Sequence, residues 1–379
     1  YGVSGCDNFA SGYRSLHCNN GCYNTAIGYR ALCTNDTGNH NVAFGCAALG
    51  GNTTGGNNFA ALNAALGGNT TGTSNVAIGS CAMAGNTTGG YNVGIGQKAA
   101  YLNTTGNDNV AIGQAALMCN TTGIRKISLG GESLCGSLSG SDNFAAGYRS
   151  LRVNWGGARN AAIGLYALYS NTTGSCNTAI GAYALCGNTT GVRNNAIGYY
   201  ALCSNTTGGD NLGIGFAALY KNTTGINNQA IGFSALTNNT TGHWNNVIGC
   251  NAVYSNTTGS NNNSLGNSTL YSTTTGSNNN AIGYQAGRYL ADGSTALTGP
   301  SNSTYLGTCT RGYAATDSNI TVIGHCACAC GDNTVSIGNC DVTATHINGN
   351  LILSDVPTSD PGVAGVIWSD SGTLKISAG

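Results

Sequence analysis

Apolar residues in this chain come in adjacent pairs, and the pairs return every seventeen residues. With the first Asn as position zero, the unit reads N-T-T-G-x-x-N-x-A-I-G-x-x-A-L-x-x, apolar at positions 8, 9, 13 and 14. Counting from Asn35, the mark falls at Asn52, Asn69, Asn86, Asn103, Asn120, Asn171, Asn188, Asn205, Asn222, Asn239 and Asn256. Degenerate marks at Ser137, Asn154 and Thr273 keep the phase, so 35 to 273 is 14 steps of 17. A fixed short period marks an array of stacked units rather than a globular enzyme domain. Seventeen residues with a Gly every few positions cannot hold two packed helices. They predict two short strands and two tight turns per coil, an all-β, parallel β-solenoid (β-roll). Asn and Gly supply the left-handed backbone that its corners need. About 16 coils at the inter-strand spacing of about 4.8 Å give a rod roughly 75–80 Å long.

The pairing of apolar positions carries a second expectation. Along a strand, neighbouring side chains point to opposite faces. Positions 8–9 and 13–14 are read as the two strands, so each offers one apolar side chain to its own core and another to the outside. Stripes of Ile and Leu along a lone solenoid would form a large exposed apolar patch. A homo-oligomer, most plausibly a homotrimer, is therefore expected.

Position 6 forms a column of Asn24, Asn41, Asn58, Asn75, Asn92, Asn109, Asn143, Asn160, Asn177, Asn194, Asn211, Asn228, Asn245, Asn262 and Asn279, broken only by Lys126. Stacked side-chain amides can donate to one neighbour and accept from the other, which predicts an Asn ladder with a weak coil at Lys126. Glycines at position 10 allow close backbone approach, and Leu62 should force a local adjustment there.

The beat fails from about residue 290, and all three prolines (Pro300, Pro357, Pro361) lie beyond it. The expected organisation is a solenoid over 1–290, a divergent solenoid end over 291–345, and a C-terminal β cap or docking segment over 346–379. Short strand signals in that segment fall at 350–353, 363–368 and 373–377. A repeat array needs a cap, or its last coil offers an open edge to other chains.

Composition narrows the classes. Charged residues are 7% and net charge is zero, so nucleic acid has no electrostatic handle. At 41% hydrophobic, the chain is too apolar for disorder. No apolar run approaches the roughly 18 residues of a transmembrane helix, so no membrane insertion is expected. The chain begins at Tyr1 without an initiator Met, and the expectation is a processed or partial chain.

Candidate chemistry is sparse. Two matches to G-x-G-x-x-A, Gly94 to Ala99 and Gly213 to Ala218, fall at repeat positions 8 to 13 rather than before a helix, so no cofactor is expected. His17, His40, His243, His325 and His346 share no repeat position with a carboxylate or nucleophile, no carboxylate pair stands out, and no enzyme is expected. In His325-Cys326-Ala-Cys328-Ala-Cys330 the cysteines Cys326, Cys328 and Cys330 share a face, but the spacing fits zinc poorly, and packing or disulfides are the expectation. Cys33, Cys135, Cys186 and Cys203 occupy position 15. Only Cys186 and Cys203 sit on adjacent coils, within disulfide reach. Seventeen cysteines is an odd number, so at least one thiol is free or bonded between chains; such usage leans toward an oxidising, extracellular setting.

Asn35, Asn52, Asn69, Asn86, Asn103, Asn120, Asn171, Asn188, Asn205, Asn222, Asn239 and Asn256, with Asn267, Asn302 and Asn319, each fit N-x-T or N-x-S/T-type glycosylation acceptors. The bland alternative is turn chemistry.

The strings Asn24-Thr-Ala-Ile-Gly28, Asn75-Val-Ala-Ile-Gly79 and Asn109-Val-Ala-Ile-Gly113 resemble the N-x-V-A-I-G motif of the head domains of YadA-like trimeric autotransporter adhesins. The N-T-T-G variant is similar to 17-residue repeats of bacteriophage tail-fibre and bacterial surface-fibre proteins. The stretch Asn280-Ala-Ile-Gly-Tyr-Gln-Ala-Gly-Arg-Tyr-Leu-Ala-Asp-Gly293 is similar to segments that close such arrays, and residues 351–374 resemble the C-terminal part of phage virion structural proteins. The resemblance implies three left-handed parallel β-rolls about one axis. The period is longer than in the adhesin heads, and cysteine is far richer than in tail fibres.

The expected function is a structural fibre: a stalk or head segment of a phage tail fibre or extracellular filament, docking end to end and binding a cell-surface glycan receptor. The alternative is a carbohydrate- or ice-binding solenoid that uses stacked Thr at positions 1 and 2.

Overall fold

The coil spanning residues 103–119 shows how the seventeen positions are spent. Val110–Ile112 is a three-residue strand. Its middle residue, Ala111, points inward and is fully buried, while Ile112 is 40% exposed. After Gly113 the chain turns, and Ala116 and Leu117 both enter the core. Asn103 and Asn109 fill the other half of the interior. The cross-section is thus half apolar and half amide.

In a computed structural model, residues 5–348, 352–354, 356–364 and 366–378 are described. The chain is all-β, a parallel β-solenoid of about nineteen turns whose strands are spaced by seventeen residues. Twenty three-residue strands, from Phe9–Ser11 to Val335–Ile337, form one parallel sheet in chain order. The count exceeds the sixteen expected because the sheet continues past residue 290 through Thr304–Leu306 and Thr321–Ile323. Steps there are irregular, with Asn280 paired to Thr304 and Thr321 to Val335. Tyr305 takes a core position that most coils fill with Ala, and Gly287 makes room, since a Cβ there would lie 2.9 Å from the Tyr305 ring.

One expectation fails: there is a single strand per coil. Positions 12 to 14 lie on turn backbone, with φ of 52° at Ala115 (position 12) and 54° at Leu117 (position 14). Strand alternation does not apply there, so Leu117 faces its own core and not the outside. Left-handed backbone in non-Gly residues costs energy, but each such amide finds a partner. Ala115 N–H donates to the Gln97 carbonyl of the preceding coil at 2.9 Å, and Leu117 N–H to Ser133 of the next at 2.9 Å. The outward apolar stripe therefore comes from position 9 of the strand, joined by position 7 from Val42 to Ala161.

Glycine is required at position 10. Gly113 has φ +132°, and a Cβ would stand 2.7 Å from the backbone of Gly130. Leu62 occupies this position with φ 84° and its side chain out in solvent, the expected adjustment.

The chain divides into two compact units between Asn339 and Cys340. Within the second, Ile367–Asp370 and Thr373–Ile376 form an antiparallel hairpin. Ser371 and Gly372, both at positive φ, make its two-residue turn. Of the strand expected over 350–353, Asn350 and Leu351 lie outside the described residues.

Candidate functional site: interior ladders and outer faces

Two asparagine ladders run through the interior, not one. At position 6, the Oδ1 of Asn92 accepts the backbone N–H of Asn109 at 3.0 Å, and Asn109 Nδ2 donates to the Gly123 carbonyl at 3.0 Å. At position 0, Asn103 Nδ2 donates to Asn86 Oδ1 at 2.8 Å and to the Gly106 carbonyl at 3.0 Å. That carbonyl also accepts from Asn92 Nδ2 at 2.8 Å, so the Gly of N-T-T-G ties the ladders together. Buried amides are tolerated because their donors and acceptors are engaged.

This geometry settles where the glycosylation candidates lie. Asn35, Asn52, Asn69, Asn86, Asn103, Asn120, Asn171, Asn188, Asn205, Asn222, Asn239 and Asn256 are all fully buried. Their Nδ2 atoms donate inside, as in Asn188 to Asn171 at 2.8 Å and to Gly191 at 3.1 Å. A sugar on any of them would remove a donor and place a glycan in the core. Asn267, Asn302 and Asn319 are exposed. The recurrence of N-T-T-G at most coils was the signal for this second ladder.

Lys126 breaks the position-6 column, and Ser137 breaks the position-0 column eleven residues on. They are one event. Ser137 is too short to donate to Asn120 Oδ1, and Lys126 Nζ does so instead at 2.6 Å, with Ser137 Oγ at 2.9 Å. Lys126 keeps its backbone donation to Asn109 Oδ1 at 3.0 Å. Burial lowers its pKa to about 7. In the same coil Ser128 and Ser133 replace core alanines and bond each other at 2.6 Å. At Thr273, no lysine helps: Asn256 Oδ1 and Thr273 Oγ1 are both buried without partners.

Outside, three faces follow the period. The strand face carries positions 7 and 9, as in Val76 and Ile78 or Val110 and Ile112. Ile163, Ile180, Ile197 and Ile248 are each about 40% exposed, and no charged residue stands at position 7 or 9 from Thr25 to Ile282. The threonine face is less free than the sequence implied. Position-1 hydroxyls are bonded between coils, as in Thr104 Oγ1 to the Thr121 carbonyl at 2.9 Å. Position-2 residues such as Thr54, Thr88 and Thr190 are exposed, in single file.

The third face stacks rings and charges. Tyr166, Tyr183 and Tyr200 stack at 5.5 and 5.0 Å, and Tyr199, Phe216 and Phe233 at 5.7 and 5.0 Å. Neighbouring rings cover one another's faces, leaving edges outward. At position 5, Asp108, Arg125, Asp142 and Arg159 alternate in sign; Arg125 meets Asp142 at 2.6 Å and holds its carboxyl below the usual range. Opposite charges in register avoid the repulsion that a like-charged column would suffer. Glu132 is held between Arg149 and Arg152, each at 3.0 Å.

An open groove of about 520 Å³ is lined by Tyr29, Arg30, Cys33, Ala47 and Ala64 among others, with no carboxylate. Gly94 lies in the strand Val93–Ile95, where a Cβ would meet the Met83 side chain at 2.7 Å; turn rather than helix follows, and the same holds after Gly213. Cys326, Cys328 and Cys330 lie outside a core filled by Ala327 and Ala329. No three metal-ligating side chains converge among the described residues. Cys186 and Cys203 do stand on adjacent coils, with Gly187 N–H donating to the Cys203 carbonyl at 2.7 Å.

No family model matches the chain, and no curated protein is similar to it in sequence.

Proposed function

We propose that the chain is a structural fibre segment that works as a homotrimer. One observation carries this reading: an uncharged strip follows the sheet, apolar at position 9 from Ile27 to Ile282 and widened by apolar position-7 side chains from Val42 to Ala161. Burying it requires a partner with the same axial rise, and a second copy of this chain has that rise by construction. A cyclic arrangement of three lets every copy bury the strip with equivalent contacts. The setting is extracellular, on a virion fibre or a surface filament. Capping or end-to-end docking by residues 340–379, and a glycan receptor on the outer faces, belong to the same proposal.

Sedimentation equilibrium tests it. A folded species of three chain masses is expected, and a folded monomer at micromolar concentration would remove the reading. The exposed position-2 threonine file favours a second reading, a surface for carbohydrate or ice. Thermal hysteresis or retention on a glycan array would support it, and absence of both would leave the scaffold role alone.

A further inference from the structure

Cysteines are not scattered evenly over the coils. Cys6 and Cys22 lie on the first two coils with sulfurs 2.7 Å apart, roughly 0.7 Å beyond a covalent S–S bond. Cys119 N–H donates to the Cys135 carbonyl at 2.9 Å, and burial, with a smaller contribution from the nearby Cys119 thiol, pushes Cys135 up to about 11. Cys186 and Cys203 share position 15 on consecutive coils. Cys309 and Cys326 share another position on consecutive coils, with φ of 54° and 52°. Adjacent coils lie about 4.8 Å apart, inside the Cα range of a disulfide.

We propose that these four pairs are axial disulfide sites that staple neighbouring coils. Their placement supports this. One pair joins the first two described coils and another the coils near the irregular end of the sheet. A third spans the coil of Lys126, Ser128, Ser133 and Ser137, where both asparagine ladders are interrupted. A solenoid opens where its nearest-neighbour contacts are weakest, and three of the four pairs stand at such places. The Cys186–Cys203 pair lies in regular array, and its thiols share a hydrogen bond that lowers Cys186 to about 7 and raises Cys203.

The chemistry is thiol–disulfide exchange with a small disulfide such as oxidised glutathione. The Cys186 thiolate attacks one glutathione sulfur, forming a mixed disulfide and releasing a glutathione thiolate. Cys203 gives its proton to that thiolate or to water, attacks the Cys186 sulfur, and expels the second glutathione. Two protein thiols are oxidised, and one glutathione disulfide is reduced to two thiols.

The test uses the full chain equilibrated with oxidised glutathione, alkylated, and digested without reduction for mass spectrometry. Expected are linked peptides for Cys6–Cys22, Cys119–Cys135, Cys186–Cys203 and Cys309–Cys326, each lighter by two hydrogens, with the other nine of the seventeen cysteines alkylated. Alkylation of all seventeen, links between non-adjacent coils, or covalent dimers would overturn it. Oxidation should also raise the thermal midpoint by several degrees, and Cys119→Ser with Cys135→Ser should cancel part of that rise. A fully crosslinked chain that melts like the reduced one would overturn the stapling role. The outcome is independent of the trimer, since each pair lies within one chain.

Discussion

At the scale of single residues, departures from the repeat are informative because the interior has so few positions to spare. Lys126 and Ser137 compensate each other, so they should couple. Lys126→Asn alone leaves Asn120 Oδ1 without its donor, and Ser137→Asn alone crowds a buried ammonium. Both together rebuild the ladders, and a double-mutant cycle should show coupling of about 1–3 kcal/mol. Additivity within error in denaturant melts would refute it. The lysine also sets a pH dependence. Folded Lys126 gives up its proton near pH 7, while the unfolded chain keeps it to about 10.5. The unfolded state binds more protons across that window, so the contribution to stability rises with pH there. The double variant should show a shallower rise over the same window, which separates this group from the tyrosines and cysteines. At Thr273 the defect is uncompensated. Thr273→Asn supplies a donor to Asn256 Oδ1 and should stabilise by about 1–3 kcal/mol; an unchanged or lower melting midpoint would show that the orphaned oxygen costs nothing.

At the scale of the element, the coil depends on backbone that few side chains accept. Gly113→Ala places a Cβ 2.7 Å from Gly130 at φ +132°, combining strain with a backbone clash. A loss of about 2–5 kcal/mol is expected, and a variant melting within one degree of the parent would contradict it. The coil was legible in sequence down to its period, its strand at positions 8 and 9, and its position-6 ladder. The second strand was misjudged because apolar pairing at 13 and 14 looks the same on strand and on left-handed turn. Nothing in Ala116-Leu117 announces that φ at Leu117 is 54°. The second ladder at position 0 was not read from the sequence for a related reason: N-T-T-G is good turn chemistry and an acceptor motif, and only the folded coil shows that Asn turns inward.

At the scale of the whole molecule, stability is a chain of coil-to-coil terms, while association depends on the strand face. Ile112→Asp with Ile163→Asp places charge at two points of the one strand-face strip, on side chains that do not enter the chain's own core. In a trimer this should shift sedimentation to lighter species at little cost to the monomer's fold. Unchanged mass with unchanged melting would mean that the strip is not the interface. The expectation of two-sided apolar strands was right that apolar side chains face outward. It placed half of them wrongly, since the Leu column is internal and the strip is made by position 9, with position 7 adding to it from Val42 to Ala161.

The sequence alone determined that seventeen-residue units stack as parallel coils, because a strict period aligns like with like and only a stacked architecture rewards that. It also determined the position-6 column and its break at Lys126. Tertiary structure decided which way each side chain turns. Direction depends on φ at positions 12 and 14, and those angles are fixed by hydrogen bonds to the coils above and below. It also paired Lys126 with Ser137, and Cys119 with Cys135, residues whose proximity arises only when one coil lies on the next.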